Sequence, residues 1–139
     1  MSDGRDEISE RIDATAPLVD QVLDGIRERA PQSSTFVVNY PAIFPETGNG
    51  CWPQMPIAYR DVPYLRAKQQ ELNGMIADQA AANGATLVDW YEASIGHACK
   101  GPSTRWVEPL VPGSAAVPIH PNRAGMEGAA DALVSTVRG

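Results

Sequence analysis

The stretch VPIHPNRAG, Val117 to Gly125, sets His120, one of the two histidines of the chain, between Ile119 and Pro121 and ahead of a helix start. A free imidazole titrates near ~6.5, so at neutral pH it can take a proton from a weak nucleophile and return it later. A serine hydroxyl is one group such a base can serve, since it is a poor nucleophile until its proton is removed. The serines are Ser2, Ser9, Ser33, Ser34, Ser94, Ser103, Ser114 and Ser135. None sits in the sharp strand-to-helix turn that exposes a nucleophile. On spacing alone His120 reads as an ordinary surface or helix-capping histidine before Asn122.

The cysteines are the second group able to do chemistry. Cys51 and Cys99 lie in the Gly- and Pro-rich stretches ETGNGCWPQMP and SIGHACKGPS. Their placement suggests a disulfide closing a long loop, a contribution of roughly 2–4 kcal/mol. Such a bond needs an oxidising compartment, and a pair of unlinked thiols is the alternative. Cys51, His97 and Cys99 also offer three zinc ligands, but without the regular spacing of a zinc motif.

The elements that must position these groups follow from periodicity. Ile8, Ile12, Leu18, Val19, Val22, Leu23 and Ile26 form one helical apolar stripe, with Pro17 expected to kink it or split it in two. Phe36 to Tyr40 (FVVNY) reads as a buried strand. Residues 41–63 are too rich in proline for regular structure and predict a long structured loop. A helix follows, capped near Asp61 with Pro63 in its first turn, its apolar face carrying Leu65, Leu72, Met75, Ile76 and Ala80. Asn83-Gly84 ends it. Ala85 to Tyr91 reads as a second strand, Glu92 to His120 as a second loop. A last helix starts near Asn122 and is expected to bury Met126, Ala130, Leu133, Val134 and Val137. Strands separated by helices imply a parallel sheet with helices on its faces. Two strands are few for that architecture, and at least one apolar edge would stand open.

Composition excludes some functions. The 43% hydrophobic content is that of a globular chain. A net charge of −6 with scattered basic residues argues against a nucleic-acid partner. No apolar run reaches the ~18 residues of a membrane span. The start, MSDGRDEISERID, is polar and charged, unlike a signal peptide, and taken alone predicts a cytoplasmic protein.

The stretches VVNYPAIFP, GNGCWP, DVPYLR…LN, VDWYEASIGHACK, TRWVEPL and HPNRAGM, in this order, resemble the C-terminal half of actinobacterial SGNH (GDSL-type) lipases and esterases. The resemblance runs from about Ile8 to the end. It implies an α/β fold, the flavodoxin-like α/β/α sandwich of SGNH hydrolases. Only its C-terminal part is expected in residues 1–139: about two parallel strands and three to four helices. It implies His120 as the general base of a carboxylic ester hydrolase. That family's nucleophile lies in a Gly-Asp-Ser motif, and Gly and Asn line its oxyanion hole; no Gly-Asp-Ser or Gly-x-Asn-Asp block occurs here. Where many relatives carry Asp three residues before the histidine, this chain has Val117, and the resemblance implies that the main-chain carbonyl of Val117 orients His120. Glu108 and Asp89 are side-chain alternatives, both expected as solvated charges.

Trp52 is a candidate wall of an acyl or alcohol pocket, with packing under the loop as the other reading. Asn39, which follows a strand, is a second and weaker pocket candidate although out of place for the oxyanion asparagine, and Trp106 is expected to pack in a core or loop. Cys51 and Cys99 match cysteines that are disulfide-linked in secreted relatives, although IGHACK lacks the Asp that often precedes the second one. The resemblance implies no metal and no organic cofactor. The expected partners are a carboxylic ester substrate and either a chain carrying the N-terminal half of the fold or a second copy. The alternative function is a non-catalytic remnant or interaction module pairing through an exposed sheet edge.

Overall fold

A computed structural model describes residues 6–139. They divide into two compact units, one built from residues up to Asn39 with Lys68–Val88, the other from Tyr40–Ala67 with Asp89–Gly139.

The first unit opens with α1, Glu7–Arg29. Asp6 caps it, its carboxylate accepting from the Ile8 and Ser9 N–H groups at 3.1 and 3.3 Å. Glu7 and Glu10 in the first turn, and Arg27 and Arg29 in the last, complement the helix dipole. Of the kink or split expected at Pro17, the split does not occur: α1 runs on through Pro17. The proline removes one rung, but Ile12 and Leu23, about three turns apart and on either side of it, are both buried. Of the rest of the apolar stripe, Val19 is half-buried, whereas Ile8, Leu18, Val22 and Ile26 are exposed.

The helix α2 spans Asp61–Ala82, and its residues from Lys68 onward belong to the first unit. Lys68 Nζ lies 2.8 Å from Asp6 and 2.6 Å from Glu71, and touches Ser9. The hydrogen bond with Asp6, then that with Glu71, holds the ammonium above its ordinary pKa. Asn83 donates to Asp20 at 2.8 Å, and Gly84, at φ +67°, takes the left-handed turn that ends the helix. Strands β1 (Phe36–Val38) and β2 (Thr86–Val88) pair in parallel, Phe36 opposite Thr86 and Val38 opposite Val88. Both are shorter and less buried than their sequences predict; Val88 is buried, whereas Val38 is exposed. The second strand stops at Val88 because Asp89 turns the chain into a helix, accepting from the Tyr91 and Glu92 N–H groups at 3.0 and 3.3 Å.

In the second unit that helix, α3 (Trp90–Ser94), packs against α4 (Arg123–Arg138). The predicted long loop holds its shape by burial: Ala42, Phe44 and Met55 are buried, and Ser94 Oγ accepts the Ala42 N–H at 2.7 Å. Val62 in the first turn of α2, Trp90, Ala98 and Val107 complete this core. The last helix starts where expected, and Asn122 caps it, its side chain accepting from the Gly125 N–H at 3.0 Å. The face of α4 does not follow expectation. Met126, Val134 and Val137 are 60%, 44% and 57% exposed, and the buried positions are Gly125 and Gly128. Close approach of a tryptophan, described below, decides which side of this helix turns inward. No described helix is long and apolar enough to cross a membrane.

Candidate active-site segment around His120

A short strip, Trp106 to Glu108, lies antiparallel to Ile119–Asn122 and builds the seat of His120. Val107 and Pro121 form an isolated bridge. Around it the Glu108 N–H donates to the His120 carbonyl (2.9 Å), Ile119 N–H to the Glu108 carbonyl (3.1 Å), and Asn122 N–H to the Trp106 carbonyl (2.9 Å). Ile119 has φ +60°, in the left-handed region. For a β-branched residue that conformation costs roughly 1–2 kcal/mol and persists only where its surroundings impose it.

The turn leaves the His120 side chain exposed, with Nδ1 2.9 Å from the Pro118 carbonyl. A carbonyl oxygen can only accept, so this contact places the hydrogen on Nδ1 and leaves the Nε2 lone pair open. The expected orienter was the Val117 carbonyl. That oxygen instead accepts the backbone N–H of His120 itself, at 3.1 Å, because the turn from Val117 consumes it. The carbonyl one residue later faces the ring.

Glu108, expected as a solvated charge, is 1% exposed. Its Oε2 accepts from Arg105 Nη2 (2.7 Å) and the Gly113 N–H (2.8 Å), its Oε1 from Ser114 Oγ (2.9 Å) and Asn122 Nδ2 (2.9 Å). Burial pushes the carboxyl pKa up. Asn122, Arg105, Gly113 and Ser114 together outweigh that and hold it at about 2. Asn122 also donates to the Arg105 carbonyl at 2.9 Å. Asp89, the other acid considered, is the exposed cap of α3.

A second layer sits behind the strip. A side chain at Gly128 would meet the Trp106 ring at 2.7–2.9 Å, and one at Gly125 would collide with the Trp106 carbonyl. The ring of His97 stacks on Trp106 at 4.1 Å between centroids, and its Nε2 lies 2.7 Å from Lys100 Nζ. Burial, then the Lys100 charge, lowers the His97 pKa. Cys99, two residues on, is disulfide-bonded to Cys51, with Cα atoms 5.5 Å apart. That bond consumes both thiols and removes the zinc reading of Cys51, His97 and Cys99.

Of the remaining candidates, Trp52 is 66% exposed in the Pro-rich loop of this unit. Asn39 is buried in the first unit, directly after β1, its N–H donating to the Val88 carbonyl at 3.3 Å. The sequence reading missed Pro118, since every residue has a carbonyl and none is marked as an orienter. It also missed Glu108 as a hub, although Arg105 and Glu108 at i, i+3 in TRWVEP were visible.

Residues 4–127 match the GDSL-like Lipase/Acylhydrolase family. Over 113 residues the chain is 45% identical to Lipase 2 of Streptomyces coelicolor, covering 80% of this chain and 38% of that lipase. An extracellular lipase from Streptomyces rimosus superposes with a TM-score of 0.69 at 24% identity, over 97% of this chain and 59% of that one. Phospholipase A1 from Streptomyces albidoflavus gives 0.67 at 21% identity, over 92% and 56%. The chain thus spans about two fifths of the curated relative and under three fifths of each solved structure, and both solved structures share its α/β fold. With the family match extending over most of its length, the chain belongs to the GDSL-like lipase/acylhydrolase family.

Proposed function

We propose that this chain supplies the general base, His120, to a serine ester hydrolase whose nucleophile and oxyanion donors come from polypeptide outside these 139 residues. The contact of Nδ1 with the Pro118 carbonyl at 2.9 Å carries the reading, because it fixes the tautomer that leaves Nε2 able to accept. As a serine Oγ bonds to the acyl carbon, Nε2 takes its proton. The tetrahedral oxyanion then collapses, the C–O bond to the alcohol breaks, and the imidazolium returns the proton to the departing oxygen. Water clears the acyl-enzyme by the same route. In this scheme Pro118 does the orienting that a carboxylate does elsewhere. The substrates are carboxylic esters, and the lipase and phospholipase A1 among the similar proteins point to lipid esters. Trp52 is the candidate pocket wall in this unit.

Fluorophosphonate labelling read by intact mass tests the proposal. Alone, the chain should give no adduct. Mixed with the portion of Streptomyces coelicolor Lipase 2 outside the matched segment, it should restore one adduct on the added portion, abolished by His120→Ala. A folded mixture that labels equally with and without His120 would overturn the role of the histidine, and an adduct on this chain alone would overturn the external nucleophile.

The exposed stripe of Met126, Val134 and Val137 on α4 favours a second reading, a non-catalytic module that pairs with another protein or a second copy. A stable dimer in sedimentation, with no labelling under any pairing, is the outcome that reading expects.

A further inference from the structure

We infer that Glu108 is a positioning residue for His120, holding the start, middle and end of the loop that delivers the imidazole. This rests on the reading of His120 as the base. The loop from Pro109 to Pro118 has no regular structure, so its own backbone cannot fix where His120 emerges. Glu108 does so twice over. Its main chain exchanges one bond each with His120 and Ile119, closing the loop at its base. Its carboxylate reaches mid-loop, to the Gly113 N–H and Ser114 Oγ, and across to Asn122, where α4 begins two residues after His120.

Stability alone is a poor reason for this arrangement. A buried carboxylate–guanidinium pair is often no better than apolar residues of the same volume, because both ions lose their hydration. Four donors converging on one carboxylate specify a conformation instead, and the conformation specified is an unfavourable one: Ile119 at φ +60° beside the base. A purely packing role would not need main chain and side chain of one residue to grip the same turn from both ends.

The imidazole tautomer is a readout that a packing role would not move. In long-range 1H–15N spectra of the full chain near neutral pH, His120 should show a single Nδ1–H form, assigned against His97→Gln. Glu108→Gln should lose it to a mixture of Nδ1–H and Nε2–H. A variant of the buried Val62, Val62→Ala, with a matched fall in Tm, should keep it. A folded Glu108→Gln protein with lowered Tm and an unchanged Nδ1–H signal would overturn the proposal.

If Glu108→Gln does not fold, Asn122→Ser carries the test. Serine still caps α4 but removes the donor to Glu108 and to the Arg105 carbonyl. Loss of the single tautomer is again expected, and its retention again overturns the role. These spectra need no catalysis. Tautomer loss combined with His120-independent labelling would leave the positioning in place and remove the base.

Discussion

At the scale of single residues, Ile119 is the point where local preference and the rest of the molecule disagree. An isoleucine with φ +60° is out of its allowed range, whereas glycine adopts that region freely. Replacing it therefore relieves strain while losing a half-buried side chain and adding freedom to the unfolded chain. These terms oppose one another at about 1 kcal/mol each. Ile119→Gly is expected to change the unfolding free energy in urea by less than about 1 kcal/mol, against about 2 kcal/mol or more for Val107→Ala, the buried valine two strip positions away. A loss at Ile119 as large as that at Val107 would show that the left-handed turn carries no strain. The position of His120 was legible from its neighbours in sequence; the strain beside it was not, since φ is set here by hydrogen bonds to Glu108, eleven residues earlier in the chain.

At the scale of elements, α4 shows how a correct helix can be read with the wrong face. Its start at Asn122 and its apolar spacing are plain in the sequence. What the spacing cannot show is that Trp106 approaches so closely that only hydrogen atoms fit at 125 and 128. The inward face therefore carries glycines, and the apolar stripe faces outward. Alanine is the better helix former by about 1 kcal/mol, so Gly→Ala measures closeness directly. At Gly74 on α2, where an added Cβ meets nothing within 4 Å, it should raise stability by up to about 1 kcal/mol. At Gly128 the indole must shift, and a net loss of about 1–3 kcal/mol is expected. At Gly125 the obstacle is a backbone carbonyl already accepting from Asn122, so the loss should be larger still. Chemical denaturation of the three variants gives the order, and a stabilised Gly125→Ala would contradict the seat built here for Trp106. The same tertiary override ends the second strand at Val88: Asp89 as a cap outweighs the strand propensity of Trp90 and Tyr91.

At the scale of the whole molecule, two ionisable groups, the half-buried His97 and the buried Glu108, shape how the chain responds to acid. His97 titrates below its ordinary 6.5 because burial, then Lys100, disfavours the imidazolium. Above pH 6.5 both folded and unfolded chains carry it neutral. Below 6.5 the unfolded chain binds the proton first, so stability falls until the folded form is protonated too. Glu108 acts lower down. Its folded pKa of about 2 lies under its ordinary 4.5, so its contribution is complete above pH 4.5 and disappears as pH falls toward 2, at no more than about 1.4 kcal/mol per pH unit. Thermal unfolding followed from pH 8 to 3 should therefore show two successive declines in Tm. His97→Gln should remove the decline that begins near 6.5 and leave the lower one. Glu108→Gln should start from a lower Tm at neutral pH and flatten the decline below 4.5. Neither behaviour is legible in composition: a net charge of −6 predicts only that carboxylates dominate acid unfolding, and says nothing of a carboxylate that is 1% exposed and accepts from four groups of the protein. A wild-type profile with a single decline, unaltered below pH 4.5 by Glu108→Gln, would mean that Glu108 is hydrated in solution and that the loop before His120 is held by something else.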